Sequence, residues 1–272
     1  MKSINSNPNK NKILLMVIIL AVFIAAVVII VCVTNNSKRY AEDAVGVEYI
    51  KTMENKNTAE IENSIFEASR QKILDEYAAA IEEDPDAVWE ALSSINTVFL
   101  GDSRVVGFDV FGFMDESRVM AVAGGTIHLI PDYYEDLQVI NPNLLVISYG
   151  INDMNNYWIW ETLDEYIAEL NDTMTTLTEM LPNAYIYVQA IIPVNEVGLE
   201  TSETWADIPE WNDALEATCE EHGWRFLDME DLMVGHEDEY AEDGIHLQST
   251  IYPVWAERIL MRYLSDSAAA AD

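Results

Sequence analysis

A chain of 272 residues, half of them hydrophobic, can bury the core of one ordinary domain and still carry extra segments. Its formal charge is −34, from 14 Lys+Arg against 48 Asp+Glu, and no lysine follows Lys72, so phosphate backbones are repelled and nucleic acid is excluded as a partner. With only Cys32 and Cys219 in the chain, no disulfide framework can be built.

Residues 13–33 are an unbroken run of 21 uncharged, apolar residues, about the length that spans a bilayer core as a helix. The run lacks the short core and Ala-x-Ala-like end of a cleaved signal peptide, so it reads as an uncleaved anchor. Val31 precedes Cys32 where a lipoprotein signal carries a small residue, which leaves Cys32 as an ordinary membrane-face residue. Lys2, Lys10 and Lys12 before the span, against Lys38 and Arg39 after it, place residues 1–12 in the cytoplasm and the rest of the chain outside it.

Residues 34–95 read as a stalk with N-terminal helices. Ile61, Ile65, Ile73, Tyr77 and Ile81 recur at multiples of four, and Asp84-Pro85 starts a second short helix through Trp89 and Leu92. From residue 97 the pattern alternates. Strand-like runs at 97–100, 119–123, 144–149, 185–191 and 225–228 are separated by helical stretches at 126–140, 161–181 and 208–222, with a last one at 249–264. This order predicts an α/β domain over 96–264: three layers with a central five-stranded parallel sheet, flavodoxin-like in order. Residues 265–272 read as a flexible tail.

The run Thr97-Val98-Phe99-Leu100 stops at Gly101-Asp102-Ser103, which reads either as a solvent-facing turn or as a strand delivering a serine to the sheet edge. Small or polar residues also follow the next two strands: Gly124-Gly125-Thr126, then Gly150-Ile151-Asn152-Asp153. Before the last helix stands Asp243-Gly244-Ile245-His246. These supply a nucleophile, a base, a carboxylate to orient the base, and donors for an oxyanion. On a tight turn, the spacing of three lets Asp243 reach the imidazole nitrogen remote from the serine. His128, His222 and His236 are isolated, and His236-Glu237 begins no His-Glu-x-x-His pattern, so no metal site is expected.

Four motifs in this order, three directly after strands, resemble the SGNH hydrolase superfamily, also called GDSL esterases and lipases. The resemblance spans residues 97–264. It implies Ser103 as nucleophile, His246 as base and Asp243 as its orienting partner. It also implies an oxyanion hole from the backbone N–H groups of Ser103 and Gly124 and the side-chain amide of Asn152, with Gly125 the alternative to Gly124. No cofactor and no metal are implied. The chain departs from the family pattern at Arg104, where leucine is usual, and Arg104 is open to binding an anionic substrate group or pairing with a nearby carboxylate. Tyr157, Trp158 and Trp160 are open to forming a cleft wall or to core packing. The expected function is a membrane-anchored, extracytoplasmic serine esterase acting on an acyl ester, O-acetyl above all, of a cell-envelope or exported glycan or a small ester. The same residues would also serve an O-acyltransferase, and a binding or assembly module without turnover is the non-enzymatic alternative.

Overall fold

The computed structural model describes residues 87–269 throughout, together with Lys72, Asp75, Ala79, Ala80 and Asp84. Residues 13–33 and the segments next to them, read above as membrane anchor, cytoplasmic tail and most of the stalk, lie outside the described residues. Among the described residues no helix is long and apolar enough to cross a membrane.

Five strands, β1 (Thr97–Gly101), β2 (Val119–Ala121), β3 (Leu144–Ser148), β4 (Tyr185–Gln189) and β5 (Arg225–Leu227), form one parallel sheet in the order β2-β1-β3-β4-β5. A strand covered on both faces must be mainly apolar, and β1 and β4 are buried at every position. Because successive side chains point to opposite faces, Phe99, Val146 and Tyr187 enter one core layer, while Val98, Leu100, Leu145, Ile147, Ile186 and Val188 enter the other. Helices α1 (Ala87–Ile95), α2 (Ser103–Val110) and α7 (Tyr252–Ala269) contribute Leu92, Phe108, Trp255 and Ile259 to the first layer. Helices α3 (Tyr134–Ile140), α4 (Leu163–Met180) and α6 (Ile208–His222) contribute Leu137, Met174 and Leu215 to the second. A short helix, α5 (Glu196–Thr201), follows β4.

Local chemistry sets the helix ends. Thr162 caps α4 by accepting from the Glu165 amide at 3.3 Å, and Glu165 reaches back to the Glu161 amide at 2.7 Å. Pro209 lies in the first turn of α6, and Gly223 closes that helix in the left-handed region at φ 69°.

Four differences from the expected elements have physical causes. The stretch 126–140 divides into a 3₁₀ segment over Ile127–Tyr133, which contains Pro131, and α3, because proline cannot donate into an α-helical ladder. Helix α1, assigned from sequence to the stalk, buries Val88, Ala91, Leu92 and Ile95 in the domain core. The expected flexible tail is helical through Ala269: Tyr187 Oη donates to Asp266 at 2.7 Å, Arg262 pairs with Asp266 at 2.9 Å, and Ser267 is buried. Helices α2 and α5 were not expected; Asp102 and Asn195 cap them.

The register fixes the geometry of the C-terminal sheet edge. Gly101 at the end of β1 lies opposite Ala121 of β2 and Ser148 of β3, so the chains that follow leave side by side, about 4.8 Å apart. Beneath them, Trp255 Nε1 donates to Gln189 Oε1 at 2.7 Å and Gln189 Nε2 donates to Ser148 Oγ at 2.9 Å, joining α7, β4 and β3.

Candidate active site

Gly101 turns the chain where no side chain fits, since an added Cβ would lie 2.2 Å from Val105 Cγ2 and 2.7 Å from the Ser148 carbonyl oxygen. Asp102 then caps α2, its carboxylate accepting from the Arg104 amide at 2.9 Å. Ser103 is thus the first residue of a helix whose N-terminal end faces the sheet edge, where the helix dipole favours negative charge.

The segment 240–247 is a tight loop closed by an antiparallel bridge between Tyr240 and Leu247 and by the Ala241 amide on the His246 carbonyl at 2.8 Å. Inside it, Asp243 Oδ1 accepts from the Ile245 and His246 amides, each at 2.9 Å. Its other oxygen lies 2.6 Å from His246 Nδ1, and His246 Nε2 lies 2.8 Å from Ser103 Oγ. The structure therefore brings Ser103, His246 and Asp243 into one hydrogen-bonded line. A donor at Nδ1 toward the carboxylate leaves Nε2 as an acceptor for the serine hydroxyl. Partial burial raises the Asp243 carboxyl, but the hydrogen bonds from the His246 ring and the Ile245 and His246 amides outweigh it and hold it down at about 2.

The loops after β2 and β3 meet across the end of β1. Asn152 Nδ2 donates to the Gly125 carbonyl at 3.1 Å, and buried Asp153 ties the loops from within, accepting from the Ile127 amide at 2.9 Å and the Gly150 amide at 2.8 Å. Burial raises the Asp153 carboxyl to about 7 against the pull of those two amides. Burial likewise raises Asp102 to about 6, with the Arg104 charge and amide opposing it. The two glycines differ. Gly125 is buried and its amide donates to Val122 at 3.0 Å, whereas Gly124 is exposed at φ 74° with open space around it.

Arg104 forms no direct ion pair with a carboxylate among the described residues, and its donors are turned inward. It is buried, and its guanidinium donates to backbone carbonyls: Nε to Ile245 at 2.9 Å, Nη1 to Ile192, and Nη2 to Pro193 at 3.4 Å. The aromatic run divides. Trp160 is core, its Nε1 donating to Glu169 at 2.7 Å, while Tyr157 and Trp158 are 59% and 81% exposed, Tyr157 bonded to Thr204 at 2.7 Å. His128 pairs with Glu169 at 2.8 Å and His222 stacks on Trp224; among the described residues no cluster could hold a metal ion.

Two contributors escaped the sequence reading. Asn195 caps α5 with its side-chain oxygen and donates its backbone N–H to the Gly244 carbonyl at 3.0 Å, so α5 buttresses the His246 loop. An asparagine before Glu196 is an N-cap signal that could have revealed it. Gly244, at φ 67°, leaves no room for a Cβ, which would fall 1.9 Å from Asn195 Oδ1.

The GDSL-like Lipase/Acylhydrolase family model matches residues 99–252. No curated protein matches the chain by sequence. Among solved structures, the chain is similar to one described as a "putative platelet activating factor" from Streptococcus pneumonia, at 20% identity and TM-score 0.50 over 72% of this chain and 99% of that one. It is also similar to a GDSL-like lipase from Bacteroides thetaiotaomicron, at 15% identity and TM-score 0.49 over 66% and 98%. A third is a catalytic mutant of an acetylxylan esterase from Geobacillus stearothermophilus, at 18% identity and TM-score 0.46 over 61% and 92%. At these identities the likeness to the streptococcal structure is one of fold.

Proposed function

The chain belongs to the GDSL-like lipase/acylhydrolase family and is a serine esterase of the SGNH/GDSL type; from that premise we propose that it hydrolyses acyl esters through an acyl-enzyme on Ser103. One observation carries this reading: the His246 ring bridges Ser103 Oγ at 2.8 Å and the Asp243 carboxylate at 2.6 Å. His246 Nε2 takes the hydroxyl proton as Ser103 Oγ attacks the acyl carbonyl carbon, and Asp243 holds the ring and offsets the imidazolium charge. The oxyanion is met by the backbone N–H groups of Ser103 and Gly124 and by the Asn152 amide, with Gly124 preferred because the Gly125 amide is already engaged. Collapse expels the alcohol, which receives the proton from His246. Water, deprotonated by the same ring, then releases the acid and restores Ser103.

The substrate we propose is an O-acetyl ester on a cell-envelope or exported glycan. Support comes from the 21-residue apolar span at 13–33 and the lysines before it, which would anchor the chain with residues 1–12 in the cytoplasm and the esterase domain outside. The residues between the span and the esterase domain would serve as the stalk. The His246 and Asp243 side chains are 46% and 44% exposed, which gives water direct access and favours hydrolysis over acyl transfer. Purified protein should label with a fluorophosphonate probe and lose that labelling in Ser103→Ala. Absence of labelling in folded wild type would reject the esterase mechanism in favour of a binding module. A panel of acetylated glycans and esters of graded chain length assigns the acyl group, and C-terminal topology reporters active only in the cytoplasm would reject the proposed orientation.

A further inference from the structure

We propose that Arg104 is a positioning residue of the hydrolytic site, a clamp that sets the separation of His246 from Ser103; the proposal rests on the esterase reading above. Arg104 is covalently next to Ser103, and its Nε donates at 2.9 Å to the carbonyl of Ile245, the residue covalently next to His246. One side chain thus joins the neighbours of nucleophile and base. Both ends of that link are fixed. The Arg104 backbone is held by its amide on Asp102 Oδ1 at 2.9 Å and by Tyr252 Oη, which donates to its carbonyl at 2.6 Å. The guanidinium is held by the Ile192 and Pro193 carbonyls just beyond β4.

The loop it supports needs such a brace. The side chains of His246 and Asp243 are nearly half exposed, so side-chain packing restrains them little, and their placement falls to the backbone beneath. A planar fork can satisfy three carbonyls that point from two different segments; an ammonium or an apolar side chain cannot. Leucine at this position would leave the Ile192 carbonyl buried without that donor and free the His246 loop to shift. A shift of about 1 Å between reacting groups costs about 10²-fold in rate.

The test compares wild type with Arg104→Met, which keeps an unbranched stem as far as the Nε position and loses every donor, on 4-nitrophenyl acetate. Each preparation is normalised by the fraction that a fluorophosphonate finally labels, and folding is checked by circular dichroism. We expect kcat to fall about 10²-fold with KM within twofold, and the rate constant for phosphonylation to fall in parallel, because the loss lies in base placement rather than in substrate binding. Arg104→Lys should recover only part of the loss. Should Arg104→Met fail to fold, Arg104→Lys decides alone: kcat should drop at least tenfold at unchanged KM. Folded variants with wild-type kcat, or a loss confined to KM, overturn the proposal while wild-type turnover leaves the esterase reading intact. A folded wild type inert to both ester and probe overturns the two together.

Discussion

Ser103, His246 and Asp243 lie in one hydrogen-bonded line, so under the proposed mechanism their removal should not be additive. Ser103→Ala and His246→Ala should each lower kcat by several orders of magnitude, and the double variant should cost little more than either, as steady-state kinetics on a good ester would show. Folded His246→Ala with wild-type turnover would reject the assignment and send the search for a base elsewhere. Asp102 is poorly placed for that role, since its carboxylate is committed to capping α2. Asn152→Ala should cost about 10² to 10³ in kcat, the usual loss for one oxyanion donor, with KM little changed. Asp243 follows an acid-side rule. Its carboxyl is depressed to about 2, so the anchoring it gives the loop is fully present above the ordinary carboxylate value, about 3.9, and is lost as pH falls through 2. These residues were legible in the sequence because each sits directly after a strand or before the last helix. The role of Arg104 was not, because its acceptors at positions 192, 193 and 245 come from loops that only the folded sheet brings beneath it.

At the scale of elements, the strands were legible because continuous apolar runs between polar turns admit little else, whereas α2 and α5 were not. Gly107 within α2 and Gly198 within α5 are poor helix formers, and tertiary contact overrides their propensity. Gly107 sits against Tyr252, where an added Cβ would lie 2.0 Å from the phenol oxygen. Gly107→Ala should therefore destabilise the domain by about 1–3 kcal/mol, the usual cost of overpacking, and displace the Tyr252 hydroxyl from the Arg104 carbonyl; chemical denaturation measures the first effect. The loop elements respond to pH through Asp153 and Asp102. Burial raises both above their unfolded value, to about 7 and about 6, so the folded state holds protons that the unfolded state has released. The stability each contributes is full below about 3.9 and is lost as pH rises through its folded value. The melting temperature should fall between pH 5 and pH 8, and Asp153→Asn should flatten that slope. A slope unchanged by the substitution would assign the proton to another group.

Over the whole molecule, charge decides what reaches the site. Residues 87–269 carry thirty-four carboxylates against five arginines, and no lysine. All five arginines are engaged within the fold: Arg104 on carbonyls, Arg118 on Asn96, Arg225 on Asp266 and the Tyr185 ring, Arg258 on Asp231, and Arg262 on Asp266. An anionic substrate approaching Ser103 would thus meet a negative field with no arginine left to receive it, while a cationic one would be drawn in. Such fields change association rates by about 10- to 10³-fold at low salt and fade once the screening length drops below about 8 Å. For acetyl esters matched in leaving group but bearing a cationic, neutral or anionic substituent, kcat/KM at low ionic strength should therefore fall in that order. The first and last should differ by at least about tenfold, and the three values should converge as salt is raised toward 1 M. Because the field acts on encounter, the differences should lie in kcat/KM and leave kcat at saturation nearly alike. Equal kcat/KM values at low salt would mean that the acidic surface does not project into the cleft. A preference for the anionic ester would require one of the five arginines to leave its present partners for the substrate.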